Sequence, residues 1–489
     1  MKELAHDHGD AAGFLRKYQA CFATRADGSS WPNWETTWQR GAQYFRGLIR
    51  PGSNKSVAGI ASMVDLKQEK LERFVRESAW EYENVEDQLR QTVPEAAQGA
   101  ASVLILDGMG IPKQGHDSVG VGHQWCGATG KMDNCQVTVN LTLASPGQHR
   151  NADQVSWPLG MRLFTPKKWI GDDSSVYDSS QQQQQYAQRR ENAGIPEDLE
   201  YQSKHEIGGD LVEEAANSGL DFGCVLGDSN FGKSPKLRHR LRSQDSPYAL
   251  ELVPSKFPVV DEETPLEEES ESGSGDPDET RWEISEDGEI FSPEDLAHKV
   301  EDNETDLEWE HIDWAKGTKE TLSGEFYRTR VRVVTDRADC EVGEETGWLL
   351  IEKTDEDEDD STVSLKAWIC WDLDESSLEE LVQWTHLRWS IERFHQDIKQ
   401  HLGADEFQGR SWDGFHRHLA VVMLAHAFIA THRLETEHNL PSFKDVMQRI
   451  VREAAIQQLM ENLNFDRQTA TDAAEEMLQG FTDWRIPDL

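Results

Sequence analysis

Two apolar, β-branched runs in this chain each end in an aspartate. Val103-Leu-Ile-Leu leads into Asp107, and Phe222-Gly-Cys-Val-Leu-Gly leads into Asp228. Runs of this kind read as buried strands of a sheet that helices cover. After Asp228 come a turn holding Gly232 and a helix start over Lys236–Leu241. Strand, acid, turn and helix together make an α/β unit, and its acid stands at the carboxyl end of the strand. Open α/β sheets gather their ligands at that edge. Downstream of Asp107, Ser118-Val-Gly-Val-Gly-His and Cys135-Gln-Val-Thr-Val-Asn-Leu-Thr-Leu alternate like strands, with glycines suited to the turns between them. The fold class is therefore α/β, with a sheet whose first strand ends in an acid and whose next strands follow by hairpins.

A third acid stands in Arg388-Trp-Ser-Ile-Glu392-Arg-Phe-His395-Gln-Asp-Ile-Lys399. On a helix, Arg388, Glu392, His395 and Lys399 share one face. A carboxylate flanked by long cations is an odd core and a sensible way to hold a metal ion beside a phosphate. Taken singly, each acid has an ordinary reading: a strand-end Asp is commonly a turn or cap residue. Glu392 with Arg388 is equally well an i,i+4 pair worth a few tenths of a kcal/mol. Taken together, three carboxylates far apart in sequence are what two-metal phosphoryl chemistry requires. In that reading Asp107 bridges two Mg²⁺ ions, with Mn²⁺ as a substitute, while Asp228 holds one ion and Glu392 the other. Arg388 and Lys399 hold phosphates of the strand being cut.

The chain has 489 residues, too many for one ordinary core, and 37% of them are hydrophobic. Its 91 acids against 49 bases give a net charge of −42. Such an excess reads as adaptation to high salt, where acidic surfaces hold water and counter-ions. Any contact with nucleic acid must then be a local basic patch on an acidic background. Six cysteines show no Cys-x-x-Cys pair and read as reduced, mostly buried thiols of a cytoplasmic protein. No apolar run is long enough to span a bilayer, and the start lacks a signal-peptide core, so membrane insertion and secretion are not expected.

Residues 1–98 read as a helical, DNA-binding region, with Arg46, Arg50 and Lys55 forming a basic cluster at a helix end. Residues 99–250 form the first part of a catalytic core, with the glutamine run 181–185 in a polar loop. Residues 251–375 form an insertion whose stretch 258–313 holds 23 acids and two bases and reads as a solvated, disordered loop. A second acidic run, Asp355–Asp360, reads as a hairpin tip. Residues 376–435 complete the core, with the Glu392 helix and an almost wholly apolar helix over Leu419–Ile429 that suits packing under a sheet. Residues 436–489 are a helical tail.

These blocks together resemble the DDE transposases of prokaryotic insertion sequences, in the branch with a Tyr-x2-Arg-x3-Glu-x6-Lys motif. Arg388, Glu392 and Lys399 match its last three members, whereas Thr385 stands at the Tyr position. Leu104-Ile-Leu-Asp107-Gly-Met-Gly-Ile-Pro-Lys113-Gln-Gly115-His116 is similar to the first-Asp block, with Gln124-Trp-Cys-Gly and Asn134-Cys-Gln-Val following it. Val225-Leu-Gly-Asp228-Ser-Asn-Phe231-Gly232 is similar to the second-Asp block. Trp314-Ala-Lys-Gly317-Thr318-Lys319 and Gly409-Arg410-Ser-Trp412-Asp-Gly414-Phe-His416-Arg-His418 resemble further blocks.

The resemblance implies an RNase H-like core with a β-rich insertion between the second Asp and the Glu. It implies Asp107, Asp228 and Glu392 as the metal-binding catalytic residues, with Arg388, Lys399, Lys113 and Arg410 on DNA. It further implies Mg²⁺-dependent cutting at terminal inverted repeats, strand transfer into target DNA, and action as a homodimer on paired ends. Three other readings compete: a catalytically retired DNA-binding regulator, a nuclease of the same core that does not transpose, and an acidic protein whose insertion mimics nucleic acid. Deleting residues 261–310 is expected to abolish all function on the last reading and to change a transposase only modestly.

Overall fold

A computed structural model of the chain describes residues 11–482, apart from 26, 51, 53, 147–154, 172, 269–281, 285–287, 317–320, 337–340, 355–363 and 435–441. The chain opens with six helices: α1 (Ala11–Arg16), α2 (Gln19–Ala23), α3 (Trp34–Ile49), α4 (Val57–Met63), α5 (Gln68–Arg76) and α6 (Tyr82–Gln91). Their inner faces bury Phe22, Phe45, Phe74 and Leu89, together with Trp80 from the link between α5 and α6. Lys55 does not join the expected basic cluster. It is buried, and its ammonium donates to the carbonyls of Gly47 (2.9 Å), Leu48 (2.8 Å) and Arg50, capping the end of α3. A lysine placed on orphan carbonyls at a helix C-terminus satisfies them where no further N–H can.

The core sheet follows, with β1 (Gly99–Pro112), β2 (Gly122–Cys126), β3 (Lys131–Ser145) and β4 (Val155–Phe164). Of the run expected as a strand from Ser118, residues 118–121 are turn, with Gly120 at φ +68°, and pairing starts only at Gly122. The helices α7 (Lys167–Ile170), α8 (Ser180–Ala193) and α9 (Lys204–Asn217) then lead to β5 (Phe222–Gly227), α10 (Ser229–Gly232), α11 (Pro235–Ser243) and β6 (Tyr248–Leu252). The glutamine run lies inside α8 rather than in a loop. Ser179 caps that helix by accepting from the Gln182 N–H at 3.2 Å, and glutamine is a good helix former once nucleated.

β1 runs antiparallel to β3, and β3 antiparallel to β4, whereas β5 lies parallel to β1 and β6 parallel to β5. The order β4-β3-β1-β5-β6 is an RNase H-like core. The expected boundary at 250/251 falls inside β6.

The insertion does not stand apart from this sheet. Its elements are β7 (Val259–Asp261), β8 (Leu266–Glu268), β9 (Trp282–Ile284), α12 (Pro293–Glu301), β10 (Glu310–Lys316), β11 (Thr321–Asp336), β12 (Glu341–Thr354) and β13 (Ser364–Trp371). β13 pairs antiparallel with β6, and β12, β11 and β10 follow outward, so among the described residues thirteen strands join one mixed sheet. The stretch expected as a solvated loop thus holds strands and a helix. Val259, Val260, Leu296 and Val300 anchor it in the core, and a Ser292/Asp295 capping box starts α12. The middle of that stretch (269–281), the Asp355–Asp360 run and Gly317–Lys319 lie outside the described residues. Removing 261–310 would therefore delete buried structure, so the modest change expected of that deletion does not hold.

A buried ion-pair network joins the insertion to the core. Glu345 of β12 accepts from Arg238 Nε of α11 at 2.8 Å and pairs with Arg242 at 3.0 Å.

The chain closes with α13 (Leu378–Leu387), α14 (Trp389–Leu402), α15 (Trp412–Leu434), α16 (Phe443–Leu463) and α17 (Arg467–Thr482). α15 is buried from Gly414 to Ala430, as a helix apolar all round must be, and it packs on β4 and on α3, α5 and α6. Arg388 separates α13 from α14, so it stands just before the helix that carries Glu392, His395 and Lys399 rather than within it. Gly403 ends α14 at φ +66°, where a side chain would be strained and would meet Lys55. Five cysteines are buried free thiols, and Cys340 lies outside the described residues. Among the described residues no helix is long and apolar enough to cross a membrane.

Candidate active site

Three elements bring the three acids to one groove of about 980 Å³. β1 carries Asp107, opposite Asn140 of β3. Asp228 follows β5 directly and caps α10, while Glu392 sits in the first turn of α14. Each aspartate is tethered through one oxygen. Asp107 Oδ1 accepts the Gly108 N–H at 2.7 Å, and Asp228 Oδ1 accepts the N–H groups of Asn230 (3.0 Å) and Phe231 (3.2 Å). Their second oxygens accept no hydrogen bond among the described residues. Gly232 lets α10 lie against β6, since a Cβ there would collide with the Glu251 carbonyl.

The groove holds a fourth carboxylate that the sequence reading missed, Glu251 of β6. Arg388 lies between two of the acids, with Nη2 on Glu392 Oε1 at 3.1 Å and Nε 3.3 Å from Glu251 Oε2. The crowding shows in the titration of the group. Burial first, then the charges of Asp228 and Glu392, push the Asp107 carboxyl up to about 7. Burial also raises Glu251, with Arg388 opposing and Asp228 and Glu392 adding to it.

His395, on the same helix face as Glu392, is buried and pushed down to about 3 by that burial and by Lys399. It is therefore neutral. Its Nε2 lies 2.7 Å from Asn140 Nδ2 and accepts from it, so Nδ1 carries the proton and points toward Asp107 Oδ2 at 3.8 Å. Lys399 lines the groove and donates to the Gly110 carbonyl at 3.0 Å. Lys204, Lys233 and the largely exposed Trp125 line it as well, none of them foreseen from sequence.

Other expected site residues lie elsewhere. Lys113 donates to the Phe407 carbonyl at 2.8 Å, and burial pushes it down to about 8. Arg410 is exposed and pairs with Asp117 at 3.3 Å, lining a separate cavity. Thr385 is buried, its hydroxyl donating to the carbonyls of Leu381 (3.1 Å) and Val382 (3.0 Å), so it turns away from the groove into its own helix. Trp412, His416 and His418 are buried at the start of α15, with His418 bonded to Tyr44 at 2.9 Å.

The donor set is carboxylate oxygen, the ligand type of hard divalent cations, and a bound cation would offset both the burial and the neighbouring charges that raise Asp107. The acids line the groove without being gathered at coordination spacing. Among the described residues no three acid, histidine or cysteine side chains are so gathered, and Glu392 is engaged by Arg388.

Comparison with known proteins bears on this arrangement. The curated "Probable transposase for insertion sequence element IS701" of Microchaete diplosiphon is 26% identical over 191 residues, 39% of this chain and 42% of that protein. The chain thus covers less than half the length of that relative. A family model described as DDE superfamily endonuclease matches residues 33–321, more than half of the chain. That span includes Asp107, Asp228 and Glu251, while Glu392 lies beyond it. On the strength of this match, and with an RNase H-like core beneath the groove, the chain belongs to the DDE superfamily endonucleases.

Proposed function

We propose that the chain is a transposase that cuts DNA at the ends of an insertion sequence and transfers them to target DNA. The observation that carries this reading is the meeting of Asp107, Asp228 and Glu392, from β1, the end of β5 and α14, in one groove. Asp107, Asp228 and Glu392 would hold the metal, Mg²⁺ or Mn²⁺ as its substitute, through carboxylate oxygens. When bound, such ions lower the pKa of the attacking water or 3′-hydroxyl and neutralise charge building on the phosphate. Arg388, its guanidinium shared between two carboxylates, is placed to exchange one of them for a phosphate oxygen. Lys399 keeps two N–H donors for the same backbone. Neutral His395 orients the Asp107 side of the site and, having no charge, does not compete with the metal. Trp125 offers an unpaired base a stacking face at the groove.

The protein acts in the cytoplasm, as a homodimer holding two terminal inverted repeats, and its net charge of −42 supports a salt-adapted host cell. The test is a cleavage assay in high salt with a duplex carrying the element's own end, Mg²⁺, and the Glu392→Gln variant alongside. Metal-dependent cutting at the end, lost in the variant, is expected. Specific binding without cutting in both proteins would refute the active enzyme and leave a DNA-binding regulator.

A further inference from the structure

A second groove, of about 640 Å³, lies away from the four carboxylates. α5 lines it with Arg76, the loop after β1 with Asp117, α8 with Arg189, and the segment before α15 with Phe407 and Arg410. Asp117 alone serves two guanidiniums, with Arg410 at 3.3 Å and Arg189 at 3.5 Å. The Arg189 guanidinium carbon also lies over the Tyr186 ring, 5.1 Å from its centroid. Arg76 is exposed and has no ion-pair partner among the described residues. Three arginines thus face two acids here, Asp117 and Glu72, in a chain where acids outnumber bases 91 to 49. Local cation excess on so acidic a background is where a polyanion can approach.

One strand leads from the first groove toward the second. From Asp107, β1 continues to Pro112, about 17 Å on at roughly 3.3 Å per residue. Lys399 bonds to Gly110 on that strand, and Lys113 just after it bonds to Phe407 of the second groove. That strand segment alone is as long as about five base-pair steps of duplex at about 3.4 Å each.

We propose that this second groove binds the phosphodiester backbone of the same DNA duplex, several base pairs from the phosphate under attack, with Asp117 as the anion that a phosphate displaces. The proposal rests on the DNA-cutting reading of the first groove. A carboxylate between two arginines is chemically the nearest internal stand-in for a phosphate, and exchanging one for the other keeps both guanidiniums paired. Occupation would fix how far the duplex extends past the cleavage site. It would also couple the N-terminal helices, through Arg76, to the position of the DNA.

The test measures binding without metal, so that nothing is cut. A fluorescent duplex of about 30 base pairs, roughly three helical turns, is titrated with the full-length protein by anisotropy over a range of KCl concentrations. Arg76→Ala, Arg189→Ala and Arg410→Ala are each expected to weaken binding by roughly three- to tenfold and to lower the slope of log K against log[KCl] by about 0.9. Asp117→Asn is expected to tighten binding. Arg452→Ala, on α16 and lining neither groove, is expected to change nothing. Arg388→Ala reports separately on the first groove. If Arg388→Ala weakens binding while the three arginine variants and Asp117→Asn leave it unchanged, the second groove is refuted and the first stands. If Asp117→Asn lowers the melting temperature and leaves binding as it was, Asp117 is only a structural tie and the proposal fails. If the wild type itself does not bind duplex, the DNA reading of both grooves falls.

Discussion

With Asp107 as a metal ligand, as proposed above, its elevated carboxyl is expected to make divalent-ion affinity depend steeply on pH between about 5.5 and 7.5. An ion binds only the ionised carboxylate, so affinity follows the deprotonated fraction. With Asp107 titrating at about 7, that fraction is about three quarters near pH 7.5 and about 3% near pH 5.5, a fall on the order of 25-fold. A carboxyl at its usual position would stay more than nine-tenths ionised across the same range, and affinity would barely move. Proton release gives a second readout. Near pH 6, binding of one Mg²⁺ should expel about 0.9 proton, and near pH 7.5 only about a quarter of one. Titration calorimetry in buffers of different ionisation enthalpy measures both quantities, with circular dichroism confirming that the protein stays folded. Asp107→Asn should bind Mg²⁺ weakly at every pH and release no proton. A change in affinity below about twofold, or binding without proton release near pH 6, would refute the claim that burial and neighbouring acids keep Asp107 protonated.

Four further outcomes follow from the same geometry. In metal-free protein, Asp107 has a folded-state pKa raised above its unfolded value, so its contribution to stability is full below about pH 4 and is lost as pH rises through 7. Asp107→Asn should accordingly outlast the wild type in urea at pH 8 by up to about 4 kcal/mol, with the gap closing near pH 4. Glu345→Ala leaves Arg238 buried without its carboxylate and should cost about 3–5 kcal/mol by denaturant unfolding, far more than Glu345→Ala combined with Arg238→Met. Phe428→Ala in the middle of α15, where Phe428 is 1% exposed, should cost about 3–5 kcal/mol in the same assay. Gly403→Ala should lower the melting temperature through a cost of about 1–3 kcal/mol, because φ is positive there and Lys55 leaves no room.

The strand acids were legible because a buried strand advertises itself over several consecutive residues. Val103 to Leu106 and Cys224 to Gly227 are buried throughout, and an aspartate after such a run stands out. Glu251 was not legible, since a lone acid within a five-residue strand leaves no pattern, and only the pairing of β6 with β5 brings it beside Asp228. Lys55 misled for the opposite reason. Its charge suggests solvent or DNA, and nothing local reveals that two carbonyls of α3 and that of the capping Arg50 surround it. The average composition of the acidic insertion points to a solvated loop. Its folding depends instead on a few scattered anchors such as Val259 and Leu296, which averaging conceals. The glutamine run shows the same effect, since Ser179 and ordinary helix propensity outweigh low complexity. The face shared by Glu392, His395 and Lys399 was readable because helical spacing is strictly local, whereas the break at Arg388 was not.

The pairing of β6 with β13 has a consequence for how the chain is made. When a ribosome has released residue 252, all the core strands through β6 exist, yet the outer edge of β6 stays bare until Ser364–Trp371 emerge. At about 5–20 residues per second, that interval lasts on the order of 5–20 seconds. Throughout it, the nascent chain carries an unpaired strand edge, the surface most prone to wrong partners. Glu392 is synthesised later still, so a stalled or truncated product is both sticky and without its third acid.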